Sequence, residues 1–198
     1  NIGSQVVARA KPDGNTLMSQ VNTLVMNPGL YKNLPYDPIA DFEPLTLLGT
    51  ACMALVIPTT IPATTPMELA EWIRKQDGVS YGAATGSSQH IAAELLAKRA
   101  GLKASLVPYR GSAQAQPDLM AGRIAFMFDN LPSALPFIQS GKLVGLALAA
   151  DKRAPELPDV PTFREQGFPF ETGYWLGMYG PKGLPADITG SLAADYAK

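Results

Sequence analysis

Apolar runs of strand length recur along the chain, separated by segments with helical or turn character. The runs lie at Thr16–Val21, Phe42–Thr50, Met53–Pro58, Val79–Ala83, Leu106–Pro108, Ile124–Phe128 and Val144–Ala149. Unbroken apolar runs with β-branched residues are typical of strands that are covered on both faces. The alternation of these strands with helices predicts an α/β protein with mainly parallel sheets.

Capping residues mark the predicted helices. Thr65 is a suitable N-cap, Pro66 suits the first helical position, and Glu68 completes a capping box. Gly101 ends another helix, since glycine readily adopts the left-handed conformation at a helix C-terminus. The predicted helices span Pro66–Lys75, His90–Ala100, Ser112 to about Gly122, and Leu131–Ser140.

The composition excludes several classes of protein. Of the 198 residues, 46% are hydrophobic and 17% are charged, which is unlike a disordered chain. The net charge is −1, without the basic excess of nucleic-acid-binding proteins. The longest apolar stretch, Leu45–Ile57, is too short to span a membrane. The lone Cys52, the lone His90 and scattered carboxylates have no metal-ligand spacing, so we expect no metal or cofactor.

The first candidate site follows the strand that ends at Ala83. Its loop contains Thr85, Gly86, Ser87 and Ser88 and leads directly into the helix at His90. Free N–H groups at a helix start carry partial positive charge, and hydroxyl groups add donors, so this loop is suited to holding a carboxylate. The alternative is that Ser87 or Ser88 only caps the helix.

The second candidate site is a similar loop after the strand Leu106–Pro108. Ser112 is a possible cap, and the amides of Gly111 and Ser112 are candidate donors to the same ligand. Arg110 is a candidate partner for a carboxylate, although a loop arginine is more often a solvated surface charge.

Two further candidate sites lie where strands are predicted to end. Asn22 and Thr23 follow the first strand, and Asp129 follows Ile124–Phe128. Open α/β sheets bind ligands beyond the carboxyl ends of their strands. The alternative for each position is a polar turn or a helix cap.

The proximity of Ser87, Ser88 and His90 also raises the possibility of a serine hydrolase. The chain has no Gly-x-Ser-x-Gly elbow and only one histidine. Residues two or three positions apart at a helix start do not face each other as nucleophile and base. We therefore do not expect an enzyme.

The ordered set of motifs resembles the Bug-type, TctC-like solute-binding receptors of tripartite tricarboxylate transporters. The resemblance covers essentially the whole chain. The segments that carry it are Lys11–Leu17, Asn27–Tyr31, Leu34–Pro38, Asp41–Pro44, Tyr81–His90, Val107–Ser112 and Leu157–Thr162.

The resemblance implies a type II periplasmic-binding-protein fold, with two α/β lobes joined by a hinge. Lobe 1 is then expected at residues 1–57 and 170–198, and lobe 2 at residues 58–169. Compared with the family that it resembles, the chain is expected to be truncated at both ends. The first lobe is therefore expected to be incomplete. The loops at Gly86–His90, Gly111–Ser112 and Asn22–Thr23 match the family's ligand loops, and Asp129 matches a strand end beside the ligand.

The function implied by the resemblance is capture of a small carboxylate between the lobes in the periplasm. Di- and tricarboxylates, acidic amino acids and aromatic acids are the expected ligands, and the membrane components of the transporter are the expected partners. We expect a monomer that is not embedded in the membrane. Two alternatives remain open: a cytoplasmic ligand-sensing domain of a transcription regulator, and the small serine hydrolase described above.

Overall fold

The protein is described by a computed structural model that covers residues 1–168, 170 and 173–196. Helices and strands alternate along these residues, which confirms the predicted α/β class. The elements are α1 (Ile2–Ala8), β1 (Met18–Val21), α2 (Thr23–Leu30), β2 (Phe42–Ala51), β3 (Met53–Pro58), α3 (Pro66–Arg74), β4 (Ser80–Ala83), α4 (Ser88–Ala100), β5 (Ser105–Pro108), α5 (Ser112–Met120), β6 (Met127–Asn130), α6 (Leu131–Gln139), β7 (Leu143–Ala149), β8 (Tyr174–Pro181) and α7 (Ala186–Tyr196).

The chain divides into two compact units. The first comprises residues 1–50 and 174–198, and the second comprises residues 51–173. The lobe boundaries expected from the sequence lay at 57/58 and 169/170, which would have placed β3 in the first lobe. In the structure β3 lies in the second unit, because it pairs with both β6 and β7 of that unit.

The first unit contains a three-stranded sheet in the order β1-β8-β2. The strands β1 and β8 are antiparallel, with Met18 opposite Tyr179 and Val21 opposite Leu176. Its core is small and is centred on Leu24 and Phe42, which are 0% and 2% exposed. A core of this size is consistent with a unit that has modest stability of its own.

The second unit contains a three-stranded sheet in the order β6-β3-β7, in which both pairings are antiparallel. Every residue of the central strand β3 is buried. The prediction of mainly parallel sheets is therefore wrong for β1, β3, β6, β7 and β8. For β3 the reason is that complete burial produces the same unbroken apolar run in either strand direction.

Parallel pairing is found between β4 and β5, in the second unit. Ser80 lies opposite Ser105 and Ala83 opposite Pro108, so the two strands end at the same level. A parallel bridge joins Tyr81 to Phe126 on the other side of β4. This arrangement brings the loops that follow β4 and β5 to one edge of the sheet, because both strands run in the same direction.

The predicted helix caps are largely confirmed. The Thr65 hydroxyl accepts the Glu68 N–H at 3.1 Å, and Gly101 adopts the left-handed conformation with φ +62°. The capping box differs from the expected one, because the Glu68 carboxylate accepts hydrogen bonds from the N–H and hydroxyl of Thr64 rather than from Thr65. Across the described residues, no helix is both long and apolar enough to cross a bilayer.

The position of β3 at the centre of the second unit predicts a large difference between two leucine substitutions. Leu55, in β3, is 0% exposed, whereas Leu95, in α4, is 38% exposed. We expect Leu55→Ala to lower the free energy of unfolding by about 2–5 kcal/mol, because it leaves a cavity, and Leu95→Ala to lower it by about 1 kcal/mol or less. Urea denaturation measures both values, and equal losses would contradict the assignment of β3 to the core.

Candidate functional site

The loops that follow β4 and β5 border a small pocket in the second unit. The pocket has a volume of about 30 Å³, on the order of one or two water molecules. A single carboxylate group is of comparable size. The residues that line it are Ala83, Ala84, Gln89, Gly111, Ser112, Ala115, Met127 and Phe128.

Two helices begin beside this pocket. Gln89 is the second residue of α4, and Ser112 is the first residue of α5. The first N–H groups of a helix have no partner within the helix and carry partial positive charge. None of the pocket-lining residues is charged. The pocket therefore offers dipoles, but no formal charge, to a bound anion.

The Gly86–His90 loop uses several of its amides internally, which corrects the expectation that they are all available to a ligand. The Gly86 N–H donates to Nδ1 of His90 at 3.1 Å, and the His90 N–H donates to the Ser87 hydroxyl at 3.2 Å. The Ser87 N–H donates to the carbonyl of Ala84 at 3.0 Å. Ser87 is thus the helix cap, as the alternative interpretation had it.

The remaining loop residues differ in exposure. Thr85 is exposed and Ser88 is buried, at 2% exposed. Neither lines the pocket. The pocket-lining residue of this segment is Gln89, whose backbone N–H and side-chain amide have no hydrogen-bond partner among the described residues. No sequence pattern pointed to Gln89, because its importance depends on how α4 starts against β4.

The second loop contributes Gly111 and Ser112 to the pocket, and their contact with a ligand stays a prediction. Ser112 is not the helix cap, however, since Gly111 occupies that position without a side-chain hydrogen bond. Arg110 is exposed, and within the described part of the chain its side chain forms no ion pair. Its backbone N–H donates to Oε1 of Gln114 at 3.2 Å.

Asp129 lies behind the pocket and not at a strand end. The strand β6 begins at Met127 and continues to Asn130, so Asp129 is inside it, paired with Ala54 and 0% exposed. The prediction that this carboxylate follows the end of a strand is therefore wrong, because pairing with β3 extends two residues beyond the apolar run.

A buried polar network surrounds Asp129. Nε2 of Gln116 donates to Oδ2 of Asp129 at 2.8 Å and to the Ser133 hydroxyl at 2.9 Å. Burial raises the pKa of Asp129, while hydrogen bonding from Ser112 and Gln116 opposes the rise. Oδ1 of Asp129 has no hydrogen-bond partner among the described residues. The network ties α5, and with it Ser112, to β6 and α6.

Asn22 and Thr23 belong to the first unit. Asn22 is the N-cap of α2 and is 8% exposed, and Thr23 is the first residue of that helix. Their proposed contact with a ligand stays a prediction.

The arrangement around His90 does not resemble a nucleophile and its base. Nδ1 of His90 accepts the backbone N–H of Gly86, and the Ser87 hydroxyl accepts the backbone N–H of His90. A base that activates a serine has to accept the hydrogen bond of that serine's hydroxyl. The observed contacts instead hold the loop in one shape.

The fold and the pocket together define an α/β protein with the features of a binding site for a small anion, and comparison with known proteins gives its family. The family model described as "Tripartite tricarboxylate transporter family receptor", TctC, matches residues 1–198. The chain therefore belongs to the TctC receptor family. The resemblance inferred from the sequence motifs is confirmed.

Two curated relatives are similar to nearly the whole chain. A UPF0065 protein in the tcbD-tcbE intergenic region of Pseudomonas sp. is 37% identical over 201 residues, which cover 100% of this chain and 60% of the relative. Protein BugT of Bordetella pertussis is 32% identical over 192 residues, 94% of this chain and 59% of BugT. The chain thus spans about 60% of the length of these relatives.

Solved structures give the same result for the fold. The periplasmic binding protein BugD has a TM-score of 0.88 at 34% identity, over 98% of this chain and 66% of BugD. An R. palustris protein solved with adipate has a TM-score of 0.91 at 32% identity, over 99% of this chain and 67% of that protein. MatC from Rhodopseudomonas palustris, with bound malate, has a TM-score of 0.89 at 31% identity, over 99% of this chain and 68% of MatC. The predicted periplasmic-binding-protein fold is confirmed.

The backbone of the Gly86 loop predicts an effect on stability. Gly86 has φ +77°, which is unfavourable for a residue with a Cβ atom. We expect Gly86→Ala to lower the free energy of unfolding by about 1–2 kcal/mol. The control is Gly49→Ala in β2, since Gly49 is exposed, its φ is not positive and a Cβ atom there would have no neighbour within 4 Å. Thermal or urea denaturation should leave the control within about 0.5 kcal/mol of wild type; two equal losses would contradict this account.

The burial of Asp129 predicts a pH dependence. Because its pKa is raised in the folded protein, the folded state binds the proton more tightly than the unfolded chain does. The free energy of unfolding of wild type, relative to that of Asp129→Asn, should therefore fall as the pH rises above about 4, which is the ordinary pKa of an aspartate side chain. Urea denaturation from pH 4 to 7 measures this difference. Parallel curves for the two proteins would show that Asp129 titrates alike in both states.

Proposed function

We propose that this protein is a periplasmic solute-binding receptor that captures a small carboxylate and delivers it to the membrane components of a tripartite tricarboxylate transporter. The observation that carries the proposal is the uncharged pocket at which α4 and α5 both begin. Two helix N-termini beside one pocket favour an anion over a neutral or cationic ligand.

The dimensions of the pocket limit what it holds. A volume of about 30 Å³ accepts one carboxylate group, but not a whole di- or tricarboxylate. We therefore propose that the pocket holds one end of the ligand, and that the rest of the ligand extends away from it. Ala83, Ala115 and Met127 also line the pocket, so an apolar lining surrounds the proposed position of the carboxylate.

The relatives support this class of ligand. Two solved structures that are about one-third identical to this chain contain adipate and malate, which both carry two carboxylates. BugD is described as a periplasmic binding protein, which supports the proposed location. Membership of the TctC receptor family supports the proposed partner and is evidence against the transcription-regulator and hydrolase alternatives.

Gln89 provides the most specific test of the pocket. Gln89 lines the pocket, and its side-chain amide has no hydrogen-bond partner among the described residues. A hydrogen bond to a charged group contributes about 1.5–3 kcal/mol, so Gln89→Leu should weaken binding about tenfold or more. The measurement is calorimetric titration of the intact protein with a panel of carboxylates that includes malate and adipate.

The matched control is Gln76→Leu, an exposed glutamine after α3 that is not part of the pocket. It should bind with wild-type affinity. A Gln89→Leu variant that also binds like wild type would place the anion site elsewhere, and a wild-type protein that binds no carboxylate in the panel would contradict the proposed function itself.

A further inference from the structure

His90 makes a contact that exists only when its imidazole is neutral. Nδ1 accepts the backbone N–H of Gly86 at 3.1 Å, so this nitrogen carries a lone pair and no proton. A protonated imidazole has two N–H donors and no acceptor. Protonation of His90 therefore removes this hydrogen bond, because the new N–H at Nδ1 would face the backbone N–H of Gly86.

The contact belongs to a set of three hydrogen bonds that close the loop between β4 and α4. The other two join the Ser87 N–H to the Ala84 carbonyl and the His90 N–H to the Ser87 hydroxyl. The pocket-lining residues Ala84 and Gln89 lie at the two ends of this loop. The shape of the loop consequently fixes the distance and orientation between two walls of the pocket.

We propose that His90 is a positioning residue, which in its neutral form holds the Gly86 loop in the shape that binds the ligand and which releases the loop on protonation. This assigns to His90 a role through Gly86 instead of a direct contact with the ligand. The proposal rests on the proposed carboxylate-binding function of the pocket and adds a dependence on pH to it.

The titratable groups on the elements packed around the imidazole are engaged in hydrogen bonds of their own. From β4, the ring of Tyr81 stacks on His90 at 6.3 Å between centroids, and the Tyr81 hydroxyl donates to Glu94 of α4. Burial and this bond raise the pKa of Tyr81, so it stays neutral. The titratable residue of β6, which also packs on α4, is Asp129, and its carboxylate accepts from Gln116.

Two substitutions of His90 differ in whether they keep a hydrogen-bond acceptor for the Gly86 N–H. His90→Asn keeps an acceptor, since Oδ1 of asparagine is as many bonds from the backbone as Nδ1 of histidine, but this acceptor does not titrate. His90→Phe keeps an aromatic ring against Tyr81 and has no acceptor. His90 is the one histidine in these 198 residues, so the imidazole signals in an NMR spectrum of the chain come from this residue.

The direct test needs no ligand. In NMR spectra of the intact protein between pH 8 and pH 5, the Gly86 amide resonance should shift along the same titration curve as the His90 imidazole. In His90→Asn the Gly86 resonance should keep its position over this range. A Gly86 resonance that does not follow His90 in wild type would overturn the proposal.

The second test measures affinity for malate or adipate, by calorimetry, at pH 8 and pH 5. Wild type should lose about tenfold in affinity at pH 5 beyond any loss seen in His90→Asn, since both proteins experience the same protonation of the ligand. His90→Phe should bind about tenfold more weakly than His90→Asn at pH 8. Equal pH profiles for wild type and His90→Asn, or tighter binding by wild type at pH 5, would overturn the proposal.

The two tests separate this proposal from the proposed function. If neither malate nor adipate binds at any pH, the carboxylate-receptor assignment fails, while the NMR titration still decides whether His90 holds the loop. If malate or adipate binds but the Gly86 resonance ignores the protonation of His90, the receptor assignment stands and the positioning role fails.

Discussion

The parallel pairing of β4 with β5 determines where the candidate binding site lies. Because Ala83 lies opposite Pro108, both strands end at one level, and the loops that follow them lead into α4 and α5 at the same edge. An antiparallel pair would send these loops to opposite ends of the sheet. The parallel register thus places the N-termini of two helices, with their partial positive charge, beside one pocket.

The pocket is supported from behind by polar groups that do not contact its interior. On the α4 side, three hydrogen bonds close the loop between Ala84 and His90. On the α5 side, Gln116 joins Asp129 to α6 and so holds the start of α5 near β6. Binding sites need such supporting contacts, because an error of about 1 Å in a donor's position removes much of its effect.

The sequence predicted those features that are determined locally. Gly101 was recognised as a helix terminus, and Ser87 or Ser88 was recognised as an alternative helix cap, because capping depends on residues within one turn. Strand direction and register were not predictable, since they depend on partners distant in the chain. Asp129 shows the consequence: the apolar run ends at Phe128, yet pairing with β3 continues to Asn130 and buries the carboxylate.

For the candidate site, the motifs pointed to the two loops that border the pocket, but not to the contacts within these loops. The Gly- and Ser-rich composition pointed to Gly86–His90, and the structure shows that most of these amides are bonded within the loop. Gln89 was missed because a glutamine in the first turn of a helix has no distinctive pattern. Its proximity to Ser112 across the pocket arises only from the fold.

We expect a carboxylate group of the ligand to occupy the pocket between the starts of α4 and α5. A crystal structure of the intact protein with bound malate or adipate tests this most directly. Electron density for one carboxylate is expected within hydrogen-bonding distance of both Gln89 and Ser112, about 2.7–3.2 Å from their donor atoms. A ligand bound with both carboxylates elsewhere and this pocket unfilled would contradict it.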